Sequence, residues 1–184
     1  MQNCLSPPQA VLQIKEEYPM REMRRFKQAL TRSECHAVLE RNTAGVLAVL
    51  GDGGYPYAVP MSYVWFEGKV YFHWAVAGHK LDAVRAEPRV SFCVVDQDQI
   101  VPEKYTTYFR SVIVFGTARV VDDPAEKRRA IDALGAKYRP GFEAERAAEI
   151  DSTWNRFLMV ALTPEHITGK QARELMNHGQ GTVD

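Results

Sequence analysis

Tyr71-Phe72-His73-Trp74-Ala75-Val76-Ala77-Gly78-His79-Lys80-Leu81 is the stretch from which the fold can be worked out. Its first half is apolar and aromatic, the composition of a strand, and it follows the turn pair Glu67-Gly68. A run of small residues comes next. His79-Lys80 then opens a short helix over residues 81–86, which must end before Pro88 because a residue preceding proline avoids the helical region. A helix start presents unpaired N–H groups and the positive end of a dipole. A lysine and a histidine added there make an anion site suited to a phosphate. The same two residues fit an ordinary solvated helix start equally well.

Working upstream, residues 44–50 are apolar and partly β-branched, Gly51-Asp52-Gly53-Gly54 is a turn, and residues 57–66 resume as strand. With residues 69–74, these strands predict a β-meander joined by two short turns. Before them, Thr31 or Ser33 caps a helix carrying Cys35, Val38 and Leu39 on one face, and Asn42 ends it. Downstream, residues 89–95 alternate as a strand, and residues 96–106 read as a polar loop. Residues 109–121 form a long strand in which Gly116 marks a bulge or close approach. Asp122-Asp123-Pro124 starts a helix that runs to Tyr138 and stops at Pro140-Gly141. A second helix is predicted over residues 143–150, and a last strand over 156–162, ended by Pro164. Six strands punctuated by turns and interrupted by a few helices predict a small closed or half-closed barrel, because closure removes exposed strand edges. The expected layout is an N-terminal arm (1–20) with a helical part around 11–17, one domain (21–170) and a C-terminal tail (171–184).

The bulk numbers narrow the class. The 184 residues carry 23 basic and 23 acidic side chains, and the absence of a basic excess argues against a nucleic-acid binder. No apolar run approaches a membrane span, and no secretory signal opens the chain, so no membrane partner is expected. Three cysteines without a CxxC pair argue against a disulfide framework or a zinc site and for a reducing cytoplasm. The five histidines show no metal-ligand spacing, so no metal is expected. No nucleophile elbow, phosphate-binding P-loop, dinucleotide fingerprint or HExxH motif is present.

Two further stretches carry polar groups where a ligand could use them. In Val59-Pro60-Met61-Ser62-Tyr63, Pro60 lacks an N–H and belongs on an edge or at a bulge, where neighbouring backbone is left to bond a planar heterocycle. Ser62 is placed to meet a phosphate or a sugar alcohol, although an edge strand with nothing bound explains the residues as well. In Tyr108-Phe109-Arg110-Ser111-Val112-Ile113, Arg110 and Ser111 either reach the same anion or form a solvent-facing polar pair. Trp65 and Trp154 read as core packing, Trp74 as core or pocket lining, and Cys93 as a buried small hydrophobe.

In their order, these pieces resemble the pyridoxamine 5′-phosphate oxidase-like FMN-binding split-barrel superfamily, nearest the branch of the 5-nitroimidazole-resistance proteins. The matching text is Met23-Arg24-Arg25 leading to Leu30-Thr31, then Gly45-Val46-Leu47-Ala48, Pro60-Met61-Ser62-Tyr63-Val64, Tyr71-Phe72-His73 with Gly78-His79-Lys80-Leu81, Pro88-Arg89-Val90-Ser91-Phe92, residues 108–116, and Ile167-Thr168-Gly169-Lys170. The resemblance implies a mainly β fold with peripheral helices, a six-stranded Greek-key split β-barrel. It implies a homodimer holding two FMN molecules at its interface. It implies that Lys80 and Ser111 hold the FMN phosphate with His79 nearby, and that Val59, Pro60, Met61, Ser62, Phe72 and His73 lie along the flavin, with Val112 beside Ser111. It also implies that Trp154 or Lys170 of the partner covers the far face. Relatives often carry Asn at Ser62 and a small residue at Trp74, where the indole would narrow the substrate space. The expected activity is an FMN-dependent oxidoreductase acting on a small organic substrate, with NAD(P)H as candidate reductant and His73 as the best candidate base. A non-enzymatic flavin sensor or store, a haem-binding barrel using His166 or His178, a cofactor-free interaction domain, and a barrel using the deazaflavin F420 stay open beside it.

Overall fold

The computed structural model describes residues 20–176. The predicted N-terminal arm, including its helical part, and most of the predicted tail lie outside the described residues. The chain runs α1 (Arg32–Arg41), β1 (Ala44–Leu50), β2 (Pro56–Ser62), β3 (Val64–Phe66), β4 (Lys69–Ala75), α2 (His79–Ala86), β5 (Arg89–Val101), β6 (Thr106–Val120), α3 (Pro124–Tyr138), α4 (Glu143–Thr153), β7 (Phe157–Gln171) and α5 (Arg173–Met176). All seven strands belong to one antiparallel sheet of order β2-β1-β5-β6-β7-β4-β3. The mainly β fold with peripheral helices is as expected. The predicted six-stranded split barrel is met in part: among the described residues there are seven strands, and no ladder joins the two edges of the sheet.

The two edges are consecutive in the chain, joined by the single residue Tyr63. This corrects the predicted meander. Residues 56–62 pair back onto β1, whereas residues 64–66 pair forward onto β4, so the strand predicted over 57–66 is a corner of the sheet. Tyr63 makes that corner. Its side chain is fully buried, its hydroxyl donates to the Leu39 carbonyl at 2.8 Å, and its N–H donates to the Tyr138 hydroxyl at 3.1 Å. The same N–H also reaches the Thr43 carbonyl at 3.4 Å, so the last bond beside the β1–β2 ladder is shared with the α3 side chain.

Two other expectations are corrected. Residues 96–106 are ladder, not loop: past a bulge at Val95/Gln97, β5 pairs with β6 from Gln97↔Arg110 to Val101↔Thr106. Pro164 does not end β7, which continues to Gln171. The proline sits where the β6–β7 register shifts, opposite Gly116, and a bulge tolerates the missing N–H. Gly116 is required there, because a Cβ on it would lie 2.0 Å from the Thr163 carbonyl oxygen. α1 opens with the predicted cap, in which the Thr31 side chain accepts from the Glu34 N–H and the Glu34 carboxylate accepts from the Thr31 N–H.

Strand alternation sorts the apolar residues into three sets. Leu47, Phe72, Trp74, Phe92, Val112 and Val114 fill the rolled interior with Leu81 and Val84 of α2. Tyr71, Met159 and Ala161, on the other face of β4 and β7, pack under Ala130, Ile131 and Ile150 of α3 and α4. The outer face of β2, β1, β5 and β6 carries Pro60, Val46, Cys93 and Ile113 in one cross-strand row, with Val95 beside them. Among the described residues no helix covers that row, and Val46 and Val95 are 38% and 58% exposed. Cys93, expected to be buried, is half-buried on this face.

Candidate functional site

The first turn of α2 leaves hydrogen-bond donors without partners among the described residues. Gly78 caps it at φ 132°, a conformation open to glycine, and supplies no side chain to the helix start. The N–H groups of His79 and Lys80 meet no acceptor among the described residues. Lys80 has no acidic partner there either, and its ammonium stands 5.5 Å from the centre of the Trp74 ring. Trp74 is itself 1% exposed, and its indole N–H is buried without an acceptor. The unpaired donors at the helix start are thus the His79 and Lys80 N–H groups and the Lys80 ammonium, while the Trp74 N–H is a separate unpaired donor in the interior.

His79 is held rather than free. Its ring stacks on Tyr57 of β2 at 4.3 Å and 11°, and its Nε2 accepts the Asp52 N–H at 3.3 Å. That bond places the imidazole proton of the neutral ring on Nδ1. The contacts tie α2 to β2, whose other edge has no ladder partner and leaves main-chain groups available. Among the predicted members of that strand, Pro60 and Ser62 face outward and are exposed, while Val59 and Met61 turn inward. The cradle therefore consists of the open edge of β2, the end of β4 with the small residues after it, and the start of α2.

The structure separates other residues that the resemblance brings together. Phe72 and His73 are neighbours on β4 and so face opposite ways: Phe72 is buried in the interior, and His73 is exposed on the far face. Trp74 also points inward and takes no room from an outer site, which corrects the expectation that it narrows the substrate space. Val112 is fully buried in the interior. Ser111 pairs with Val95 and Lys170. That row lies beyond the Val46↔Cys93 end of the β1–β5 ladder, whereas His79 bonds Asp52, just past the other end of β1. Lys80 and Ser111 thus lie toward opposite ends of the β1 direction within one chain. Arg110 and Ser111 do not share an anion: Arg110 turns the other way, to Asp96 at 3.3 Å and Gln171 at 3.2 Å. Lys170 lies beside Ser111, with its ammonium 5.0 Å from the Phe109 ring centre. Trp154 is half-buried, edge-on to Phe157, with the Lys127 ammonium 4.3 Å over its ring.

Sequence reasoning missed a cleft of about 470 Å³ between α3, α4 and the start of β7. His73 stands at its floor against Phe157 at 4.9 Å, with Tyr138, Phe142 and Ile150 among its apolar walls and Arg139, Arg146 and Arg156 at its margin. Burial, and secondarily the Lys127 charge, hold the His73 imidazole below its ordinary pKa, so it is neutral at physiological pH. The missed signal was the arginine spacing on the two helices, which sequence alone could not fold onto a distant strand.

The family model for pyridoxamine 5′-phosphate oxidase matches residues 31–171, which takes in every element from α1 to β7. The chain belongs to that family. Pyridoxamine-phosphate-oxidase-like structures share its fold. A protein from Bacteroides thetaiotaomicron named for 5-nitroimidazole antibiotic resistance is 19% identical and covers 78% of this chain and 86% of its own, with a TM-score of 0.65. A FAD-binding protein from Mesorhizobium loti is 26% identical over 78% of this chain and 94% of its own, at 0.56. A FAD- and heme-binding protein from Mycobacterium smegmatis is 21% identical over 83% and 80%, at 0.65. A comparison with curated protein sequences finds no match. No helix among the described residues is long and apolar enough to cross a membrane.

Proposed function

We propose that this protein is an FMN-dependent oxidoreductase of the pyridoxamine-phosphate-oxidase-like type, of the sort named for nitroimidazole resistance, acting on a small organic substrate at a flavin held between two copies of the chain. One observation carries the reading: the uncapped first turn of α2 and Lys80 present donors that lack acceptors among the described residues. A phosphate dianion answers that donor set, and the helix dipole adds to the attraction. The flavin binding of the family's solved neighbour at 26% identity agrees with it.

The residues present fit the group. Lys80 and the His79 and Lys80 N–H groups would hold the phosphate, with His79 fixed by Tyr57. The open edge of β2 at Pro60 and Ser62 would bond the ring system. Ser111 and Lys170, remote within one chain, would serve the site of the partner subunit, since a two-fold arrangement brings the uncovered sheet faces together. The bound flavin would supply the two-electron chemistry between a reductant, NAD(P)H by class, and the substrate. His73, on the face of β4 turned away from this cradle, would not reach a substrate at the flavin of its own chain, so no side chain is assigned as base.

The visible absorption spectrum of the purified protein tests the reading. A two-banded flavin spectrum that bleaches with NAD(P)H and recovers with an acceptor supports it. A flavin spectrum without turnover indicates a sensor or store, a Soret band a haem protein, and a colourless protein without flavin uptake contradicts the proposal.

A further inference from the structure

We infer that a second site, formed by Arg24, Arg25, Phe26, Lys27, Gln28 and Arg173, binds the ADP moiety of a nucleotide. Residues 26–28 form a single 3-10 turn, closed by the Gln28 N–H donating to the Arg25 carbonyl at 2.9 Å. Pairing of Ala29 with Lys170, and the Leu30 N–H on the Gly169 carbonyl at 2.9 Å, pin the segment to the end of β7. Arg173 opens α5 two residues after that strand. A cleft of about 570 Å³ lies between them.

Three features point to one class of ligand. Arg24, Arg25, Lys27 and Arg173 line the cleft, and none has an acidic partner among the described residues, although Glu174 stands across an adjoining hollow. Four cations in one concavity call for a polyanion, and guanidinium forks match phosphate oxygens. Phe26 is 71% exposed in the same cleft and offers a flat face for stacking. Gln28 is 5% exposed, lines both hollows, and its Oε1 is buried without a donor. A buried carbonyl oxygen among cations asks for an N–H from the ligand. Adenine answers with its exocyclic amine, and the diphosphate answers the arginines. The inference does not rest on the flavin at α2, since the two sites share no residue.

Calorimetric titration of the protein as purified tests it, with ADP, IDP and inorganic pyrophosphate as probes. ADP is expected to bind saturably, IDP about fivefold or more weakly because it lacks the amine, and pyrophosphate most weakly because it cannot stack. The R24A/R25A double variant, at exposed positions, should weaken ADP by about tenfold or more. Lys80→Ala should leave ADP binding unchanged, which separates failure here from failure of the flavin reading. ADP and IDP binding equally, ADP unaffected by R24A/R25A, or no saturable ADP binding by protein whose extract contains no FAD would overturn the inference. Analysis of the extracted cofactor identifies the source: FAD assigns the moiety to the flavin itself, whereas FMN, with NADH competing against ADP, assigns it to the reductant.

Discussion

At the residue scale, single atoms decide where the chain can go. A Cβ at Gly116 would fall within bonding distance of the Thr163 carbonyl, and the obstacle is backbone in the middle of a sheet. Gly116→Ala is therefore expected to cost about 1–3 kcal/mol, read as a lowered urea midpoint with an unchanged slope. An unchanged midpoint would show that the bulge opposite Pro164 yields freely. This glycine was legible in the sequence as a close-approach site, and so were Thr31 as a cap and His79-Lys80 as a helix start, because each rests on local chemistry. The direction of a side chain was legible only as far as alternation was respected: Phe72 and His73 cannot share a face. Cys93 read as buried because an apolar strand looks the same whether its outer face meets a helix or nothing.

At the element scale, the helices are tied to the sheet by polar clusters that the sequence did not announce. Glu126 of α3 accepts from Arg119 at 2.7 Å, Tyr71 at 2.8 Å and Lys69 at 3.3 Å. Burial pushes its carboxyl upward, but these three donors outweigh it and hold the pKa at about 2. The folded value lies below the ordinary one of about 4.3, so the cluster's contribution is complete above that pH and is lost as pH falls toward 2. Glu126→Gln should lower stability by up to about 3 kcal/mol at pH 7, and the gap from the parent should close between pH 5 and 2. A gap independent of pH in denaturant titrations would contradict the assignment. The elements that sequence reading missed were those lacking a periodic signal. Residues 97–101 and 106–110 pair as a ribbon rich in polar side chains, with Ile100 74% exposed, so no apolar alternation marks them. Pro164 reads as a stop because a bulge needs a partner strand to be recognised.

At the scale of the whole molecule, one side of the sheet is covered by α3 and α4, while among the described residues no helix covers the outer face of β1, β2, β5 and β6, which only residues 20–23 border. Contiguous exposed apolar residues of this kind mark an association surface. A second copy seated there would bring Ser111 and Lys170 toward the α2 site of its partner. Val46→Glu, in the centre of the row, should convert a dimer to a monomer in light scattering and weaken flavin retention together with it. A dimer untouched by this change would place the contact elsewhere. The barrel corner at Tyr63 was beyond sequence reading for a physical reason: a strand that changes partners keeps its local alternation, and only the long-range ladder reveals the switch.

The claim on which the account turns is that the start of α2 grips the phosphate of a flavin mononucleotide. Titration of flavin-stripped protein with FMN, followed by quenching of flavin fluorescence, tests it directly. The account predicts saturable uptake of one FMN per chain, weakened by about 1–3 kcal/mol in Lys80→Ala. No saturable uptake by the parent protein, or equal affinity in the variant, would contradict it.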